Sequence, residues 1–380
     1  MSWAVRGGRV SSCQKGFWEF EGCHEHNFLL QAAIDEEERG RKTICMARLD
    51  QTNSFGSIPH QHLINTMERM HNSSEWWRNN NDAPPPSGET DPINIRFGVK
   101  QGCPLSPTVF NLGIEPVVWA AESLEDSCSV DVFGHRLSIL AYADDLVLMG
   151  KDLKALQERM TRIGEFPGFC IGHELQPPEM TASPVRDTAF NIQGGTPACL
   201  REGEPYAYLR VTVGFNVSQS PEEDLRHLTE DVKKINESLF APWQKFRALN
   251  TFLLSRLSFI LWAGHLQKKL MQELDKLIRA CGKKWLSLPR RASPEVLYLH
   301  HRHGGAGLLP VADLLDILRV VHRYRLLHCR DPVVRRVAWG RLRVVVQRNI
   351  RRNPTTADCA EFLSGSLREK FGNPAMGLQI

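Results

Sequence analysis

The chain has 380 residues, of which 42% are apolar, and its formal net charge is +4 at pH 7. This length allows two or three domains that each bury a core. The sequence has no apolar run approaching the roughly 18 residues of a membrane-spanning helix, and its N-terminus lacks a signal-peptide pattern. We therefore expect an intracellular protein without a membrane partner, whose ten cysteines are reduced thiols.

The small net charge hides an asymmetry along the chain. Residues 1–215 contain about 19 basic and about 28 acidic residues, whereas residues 216–352 contain about 26 and about 12. This division favours metal-binding or solvated acids in the first part and a polyanion-binding surface in the second. A chance distribution of surface charge is the alternative.

The first part of the chain predicts a loop, a helix and a strand. The cluster Cys23-His24-Glu25-His26 suggests zinc, but its spacing matches no standard zinc finger, so an ordinary loop is favoured. A helix is predicted from about residue 25 to 39. The apolar run that follows ends at Asp50, which is either one side of a two-strand metal site or a turn or helix-cap residue.

The next segments combine turns with helix starts. Phe55 lies in a turn, and a helix is predicted to begin near Pro59, before a proline-rich polar loop at 79–91. The segment 96–107 contains glycines that let a backbone approach a ligand closely, although a plain strand-to-helix loop is equally compatible. Its end, with Ser106 as the cap, predicts a helix that runs to about residue 124.

Two adjacent carboxylates interrupt an apolar run between Ile139 and Gly150. The run is too short for a typical buried helix, so it predicts a β-hairpin with Asp144 and Asp145 at its tip. Carboxylates beside leucine and valine need a neutralising partner, and a divalent cation with oxygen ligands is one such partner. A turn whose acids face water is the alternative, because this string alone is a weak signal.

Beyond residue 216 the sequence predicts a helical bundle. Ser220 and Pro221 mark a helix start, and apolar residues at helical spacing continue to about residue 239. Further helices are predicted at about 243–262, 266–286 and 311–328, followed by an Arg-rich segment at 335–352. The lysines of 266–286 lie on or near the face opposite the apolar stripe, so they either bind phosphates or form a solvated surface.

Taken in chain order, these segments resemble the motifs of the reverse transcriptase family. Asp50 with Phe55 is similar to the first palm motif, the segment 98–107 to the second, and Tyr142-Ala143-Asp144-Asp145 to the third. Tyr206-Ala207-Tyr208-Leu209 is similar to the primer-grip hairpin of that family. Three ordered motifs at suitable spacing are far more specific than any one of them.

A finer resemblance is to polymerases of non-LTR retrotransposons from the group with a restriction-enzyme-like nuclease. It rests on segments such as 241–245, 284–293 and 303–308, and it covers about residues 14–340. The implied class is α+β, with a polymerase palm in which helices lie on one face of an antiparallel sheet. The expected parts are partial fingers and palm at 1–215, an all-α thumb at 216–292, a basic helical extension at 293–352 and a loosely ordered tail at 353–380.

The resemblance implies RNA-directed DNA synthesis from deoxynucleoside triphosphates on an RNA template and a DNA primer. Asp50 and Asp144 would bind two Mg²⁺ ions, or Mn²⁺, about 3.5–4 Å apart, and Asp145 would complete the acidic cluster. Phe55 would lie beneath the sugar, and Gln101 and Gly102 would shape the pocket around the new base pair. Tyr142 is also implied to bind substrate. The residues implied to contact nucleic acid are Tyr208, Lys268, Lys276, Lys283 and Lys284.

The sequence also departs from the family pattern. Gly56 stands where most relatives have a second Asp, and Glu179 stands near an expected Lys, which is the wrong charge beside a triphosphate. We expect a domain truncated at both ends, without upstream fingers. The alternative function is therefore a retroelement-derived protein that binds nucleic acid without polymerising. The resemblance implies a nuclear location, and the sequence leaves the oligomeric state open.

Overall fold

The computed structural model divides the chain into two compact units. The first comprises Met1–Glu204 with Gly214–Asn216, and the second comprises Pro205–Val213 with Val217–Ile380. The structure describes residues 7–17, 22–49, 54–70, 96–124, 128–164, 206–209, 211–213, 222–257 and 266–367. Asp50, Glu179, Ser220 and the loop at 79–91 lie outside these ranges.

The first unit combines helices with short antiparallel strands. In chain order its elements are α1 (Gly22–Gly40), β1 (Cys45–Leu49), α2 (Ser54–Ser57), α3 (His60–Arg69), α4 (Ser106–Glu122), β2 (Val130–Val132), β3 (His135–Leu137), β4 (Ile139–Tyr142), β5 (Asp145–Gly150) and α5 (Leu153–Gly164). The strands β1, β5 and β4 form one sheet in that spatial order, and β2 pairs with β3. The predicted hairpin is confirmed as β4–β5, with Tyr142 opposite Asp145.

The core of this unit lies between the sheet and two helices. Successive side chains of a strand point to opposite faces, so alternate residues of β1 and β5 enter the same core. These are Cys45, Ala47, Leu49, Leu146 and Leu148. Helices α4 and α5 supply Phe110, Val117, Val118, Leu156, Met160 and Ile163. This packing fixes the ends of β1 and β5, beside which the paired acids lie.

Two local expectations in this unit need correction. Cys23 and His24 are expected in a loop before a helix that starts at about residue 25, but α1 already begins at Gly22 and includes the buried His26 and Phe28. Ser106 was expected as the cap of α4 but is its first residue. Its hydroxyl donates to the carbonyl of Lys100 at 2.5 Å, so it tightens the preceding turn.

The second unit is mainly helical. Its elements are the hairpin β6 (Tyr206–Tyr208) and β7 (Val211–Val213), α6 (Glu222–Glu237), α7 (Pro242–Ala248), a π-helical turn (Leu249–Leu253), α8 (Lys268–Trp285), α9 (Glu295–Tyr298), a 3₁₀ turn (His301–His303), α10 (Val311–Leu327), α11 (Pro332–Ile350) and α12 (Thr356–Leu363). The structure thus groups the hairpin with the helices that follow, whereas the sequence placed it before residue 215. Among the described helices, none is long and apolar enough to cross a bilayer.

A buried carboxylate organises the core of the second unit. Asp275 on α8 accepts the backbone N–H groups of Val311 and Ala312 at 2.7 and 3.0 Å. These amides belong to the first turn of α10 and have no partner within their own helix. The negative charge also suits the positive end of the helix dipole. Asp275 therefore joins α8 to α10 while its own burial is compensated.

The start of the predicted loose tail is instead a capped helix. The Thr355 hydroxyl accepts the N–H of Asp358 at 3.2 Å, and the Asp358 carboxylate accepts the N–H of Thr355 at 2.7 Å. Arg352 forms an ion pair with Asp358. This reciprocal capping explains why α12 forms, and the expectation of a loose tail is wrong for Thr356–Leu363.

Candidate active site

The hairpin tip carries both acids at the end of the sheet. Ala143 and Asp144 form the turn, and Asp145 is the first residue of β5. Ala143 has φ of 54°, a left-handed conformation that is unfavourable for a residue with a Cβ by roughly 1–2 kcal/mol. Contacts from elsewhere in the unit must therefore stabilise the turn.

Each acid has a polar partner that the sequence analysis did not identify. The Ser54 hydroxyl donates to Asp144 Oδ2 at 2.6 Å. The Arg48 guanidinium donates to Asp145 Oδ1 at 2.8 Å. Arg48 lies opposite Val147, two residues from Asp145, so both side chains lie on the same face of the sheet. Side chains two residues apart in a strand point to the same face, so the sequence could have predicted Arg48 on the face expected for Asp50. No local signal identifies Ser54.

The expected third acid, Asp50, lies outside the described residues. It follows Leu49, the last residue of β1, and Leu49 is the strand partner of Leu146. Within the described residues, the carboxylates of Asp144 and Asp145 form no group of three metal-ligating side chains. Carboxylate oxygens are the donors that Mg²⁺ prefers, so the chemistry of these two residues fits that ion.

Tyr142 packs against the start of α1. A Cβ added to Gly22 would lie 3.4 Å from Cε2 of Tyr142, so the ring and the helix backbone are close. Burial raises the pKa of Tyr142 to about 12, and a hydrogen bond and charge interaction with Cys23 contribute in the same direction. The hydroxyl is therefore protonated at neutral pH. The contact of the ring with the backbone of α1 helps to hold the end of β4 in place.

Phe55 lies in an aromatic cluster. Its ring stacks on Phe110 at 4.4 Å between centroids and meets Phe17 edge-on at 6.0 Å. The ring is half-buried, so these contacts fix its orientation while part of it stays accessible. Ser54, the partner of Asp144, precedes Phe55 in the chain, so the acidic tip and the aromatic cluster are neighbours.

The backbone of the second motif packs directly on α2 and the residue after it; Phe55 was predicted in a turn but belongs to this short helix. The N–H groups of Gly98 and Val99 donate to the carbonyls of Ile58 and Phe55 at 2.8 and 2.7 Å. Gly98 has φ of 85°, and an added Cβ would lie 3.0 Å from backbone atoms of Phe55 and Gly56. Only glycine fits this close approach. The structure thus brings described residues of all three motifs together.

Gln101 and Gly102 lie at the exposed turn before α4. Gly102 has φ of 82°, and a Cβ added there would meet only open space. In the part of the chain that the structure describes, no hydrogen bond joins these residues to Asp144 or Asp145. Their predicted contact with a base pair stays a prediction.

A buried arginine supports the base of the hairpin. Arg159 on α5 is fully buried, and it donates to the carbonyls of Met149 and Ala121 and to the hydroxyl of Ser129. Burial lowers its pKa from the ordinary value. Because several acceptors on β5, the end of α4 and the segment before β2 converge on one guanidinium, Arg159 ties these elements together.

In the second unit, basic side chains line a cleft on α8. The cleft has a volume of about 600 Å³, and its lining includes Lys276, Arg279, Lys283, Lys284 and Arg290. Lys283 Nζ donates to the carbonyls of Arg290 and Ala292 at 3.1 and 2.5 Å, which joins α8 to the loop after it. The concentration of positive charge suits a phosphate-bearing ligand.

The remaining predicted nucleic-acid contacts differ in their exposure. Lys268 is exposed and forms an ion pair with Asp316, and Lys276 pairs with Glu273 at 2.7 Å. The side chain of Tyr208 is fully buried. The prediction that Tyr208 contacts nucleic acid is wrong in this conformation, because a residue without exposed surface cannot touch a ligand.

The comparisons with known proteins agree with these motifs. Residues 8–167 match the family model described as reverse transcriptase (RNA-dependent DNA polymerase). The retrovirus-related Pol polyprotein from the type-2 retrotransposable element R2DM of Drosophila melanogaster is 23% identical over 330 residues, covering 81% of this chain and 30% of the relative. The R2 polyprotein of Nasonia vitripennis is 25% identical over 320 residues, covering 79% and 31%.

This chain spans about a third of the length of these two relatives. The solved structure of telomerase from Candida albicans with a fragment of telomeric RNA aligns with 85% of this chain and 54% of that chain, at 8% identity and a TM-score of 0.31. A TM-score that low does not establish a shared fold. Residues 8–167 thus match the reverse transcriptase family, and most of the chain is similar to part of the Pol polyproteins of R2 retrotransposable elements.

Proposed function

We propose that the first unit catalyses RNA-directed DNA synthesis. In this reaction the primer 3′-oxygen attacks the α-phosphorus of a deoxynucleoside triphosphate. The bond to the β-phosphate breaks, pyrophosphate leaves, and the hydroxyl proton passes to solvent. The observation that supports the proposal best is the pair Asp144 and Asp145 at the hairpin tip, held by Ser54 and Arg48 beside the end of the strand that precedes Asp50.

The partners of the two acids leave oxygen atoms for coordination. A carboxylate has two oxygen atoms, and Ser54 contacts one of those of Asp144. Two Mg²⁺ or Mn²⁺ ions held by Asp50 and Asp144 would favour the ionised primer hydroxyl and stabilise charge on the triphosphate. Ser54 orients the Asp144 carboxylate, and Arg48 balances the charge of Asp145.

We assign the nucleotide pocket to the aromatic cluster and the turn before α4. Phe55 is proposed to lie beneath the sugar and to reject a 2′-hydroxyl, because its contacts with Phe110 and Phe17 prevent the ring from moving aside. Gln101 and Gly102 are proposed to shape the pocket around the new base pair. The support for this assignment is the backbone packing of Val99 on Phe55, two residues before Gln101.

We assign the basic cleft of the second unit to the phosphates of the template–primer duplex. Lys276, Lys283 and Lys284 line the cleft, and Lys268 lies at the start of the same helix. The pair of Lys276 with Glu273 is exposed to solvent, which weakens it, so a phosphate can displace it. Backbone binding of this kind is independent of sequence and weakens with salt. A nuclear location follows as part of the proposal, since retroelement insertion requires genomic DNA.

A second candidate function is nucleic-acid binding without synthesis. The observation that favours it is the ion pair between Arg48 and Asp145, which neutralises one of the acids at the tip. The basic cleft would retain its role in this case.

A primer-extension assay beside a salt-titrated binding assay separates the two functions. With Mg²⁺ and an RNA template, Asp144→Asn is expected to abolish synthesis and to leave template–primer binding unchanged. Asp131→Asn is the matched control, because Asp131 is an exposed residue of β2 whose carboxylate accepts the N–H of Gly134 in the following turn. Synthesis retained by Asp144→Asn would contradict the assignment. Binding without extension by the wild type would support the second function.

A further inference from the structure

Gln14 makes an unusual set of hydrogen bonds to the hairpin tip. Its side chain is fully buried. The side-chain oxygen accepts the N–H of Ala143 at 2.9 Å, and the side-chain nitrogen donates to the carbonyl of Ala143 at 3.3 Å. One carboxamide therefore holds both backbone polar groups of the residue that precedes Asp144.

The backbone beside Gln14 extends the sheet. The N–H of Lys15 donates to the carbonyl of Ala141 at 2.8 Å, and the N–H of Ala141 donates to the carbonyl of Cys13 at 3.0 Å. Gln14 and Ala141 thus form a parallel bridge at the edge of β4 that faces away from β5. The side chain of Gln14 continues this ladder from Ala141 to the turn itself.

Gly16 and Asn111 fix Gln14 in turn. The Gln14 oxygen also accepts the N–H of Gly16 at 2.8 Å, and the Gly16 carbonyl accepts from the buried Asn111 side chain on α4 at 2.7 Å. A Cβ added to Gly16 would lie 2.4 Å from the backbone nitrogen of Ala143. The glycine therefore packs directly against the turn, with no space between them.

We infer that Gln14, Gly16 and Asn111 form a clamp that positions the Asp144 carboxylate by holding Ala143 in its left-handed conformation. Ala143 is bonded directly to Asp144, so a rotation of its backbone would displace the acid. Without the clamp, the unfavourable φ of 54° would drive the turn toward other conformers. Gln14 is thus a positioning residue for the polymerase site, and this role in synthesis rests on the proposed function.

The first test uses hydrogen exchange, which does not depend on activity. Gln14→Leu removes the carboxamide at similar size. Gln157→Leu on α5 is the control, because the Gln157 side chain donates to Thr161 on the same helix. We expect exchange of the peptide that covers 139–150 to accelerate by about tenfold in Gln14→Leu, which corresponds to one net hydrogen bond. The control should match the wild type.

The second test measures synthesis. In Gln14→Leu, kcat should fall and the Mg²⁺ concentration for half-maximal rate should rise, while the Kd for template–primer stays constant. Adding Ala143→Gly should restore part of kcat, because glycine accepts a positive φ at the first position of a two-residue hairpin turn. A residue with a merely structural role would lower the melting temperature without this rescue.

Each outcome decides one proposal. Unchanged exchange in Gln14→Leu would overturn the clamp, even if the wild type synthesises DNA. If exchange accelerates in Gln14→Leu but the wild type synthesises no DNA, the clamp is kept and the polymerase assignment is rejected. If Gln14→Leu does not fold, Asn111→Ala tests the same clamp, because it removes the donor to the Gly16 carbonyl and leaves Gln14 in place. Unchanged exchange in that variant would also overturn the clamp.

Discussion

Replacing Glu115 by glutamine should make the stability of the first unit less sensitive to pH. Glu115 is fully buried on α4, and its carboxylate accepts the backbone N–H of Ser11, three residues before Gln14. Burial raises the pKa of this carboxyl from 4.5 to about 8, and the hydrogen bond from Ser11 offsets part of that shift. The nearby charge of Glu122 raises the pKa further.

The difference in proton binding between the folded and unfolded protein decides how stability changes with pH. Between pH 4.5 and about 8 the folded protein keeps a proton on Glu115 that the unfolded chain releases. Stability from this group is therefore fully present below the unfolded pKa and is lost as pH rises toward the folded pKa. With 1.36 kcal/mol per pKa unit, the loss between about pH 5 and about pH 9 is about 4 kcal/mol.

Urea unfolding of the wild type and Glu115→Gln at several pH values measures this loss. Other titrating groups are common to both proteins and cancel in the difference between their unfolding free energies. We expect the variant to gain about 4 kcal/mol relative to the wild type between about pH 5 and about pH 9. A difference that stays constant across this range would refute the assignment of a raised pKa to Glu115.

Two further predictions concern packing and charge. Gly98→Ala should lower the unfolding free energy by about 1–3 kcal/mol more than Gly134→Ala in thermal unfolding, because both have positive φ but only Gly98 faces the backbone of Gly56. Equal losses would show that the close approach is absent. Lys284→Gln should weaken template–primer binding and reduce the slope of log Kd against log salt by about 0.7–0.9, whereas the exposed Lys154→Gln on α5 should change neither. An unaltered slope in Lys284→Gln would exclude a phosphate contact at that lysine.

The sequence located the acidic hairpin because the signals that form it are local. Short continuous apolar runs on either side of Asp144 and Asp145 indicate two buried strands, and the acids mark the turn. The helix starts predicted at Ser106 and near Pro59 agree closely with the observed starts for the same reason, because caps and prolines act on neighbouring residues. The capping box of Thr355 with Asp358 was an equally local signal, and it was overlooked.

The partners of the acids were not predictable in the same way. Ser54 is 90 residues from Asp144, Arg48 is 97 from Asp145, and Gln14 is 129 from Ala143. Such contacts depend on how the sheet and helices pack, which no periodicity encodes. The predicted contact of Tyr208 with nucleic acid disagrees with its burial for a related reason. Strand alternation separates the two faces of a hairpin without showing which face is covered.

Anomalous diffraction from crystals grown with Mn²⁺, template–primer and an incoming nucleotide tests the central assignment most directly. The account predicts an Mn²⁺ peak within coordination distance of both Asp50 and Asp144, about 2–2.5 Å from their oxygens, and loss of that peak in Asp144→Asn. A peak that persists in the variant, or an Asp50 carboxylate remote from Asp144, would contradict a shared metal site at the hairpin tip.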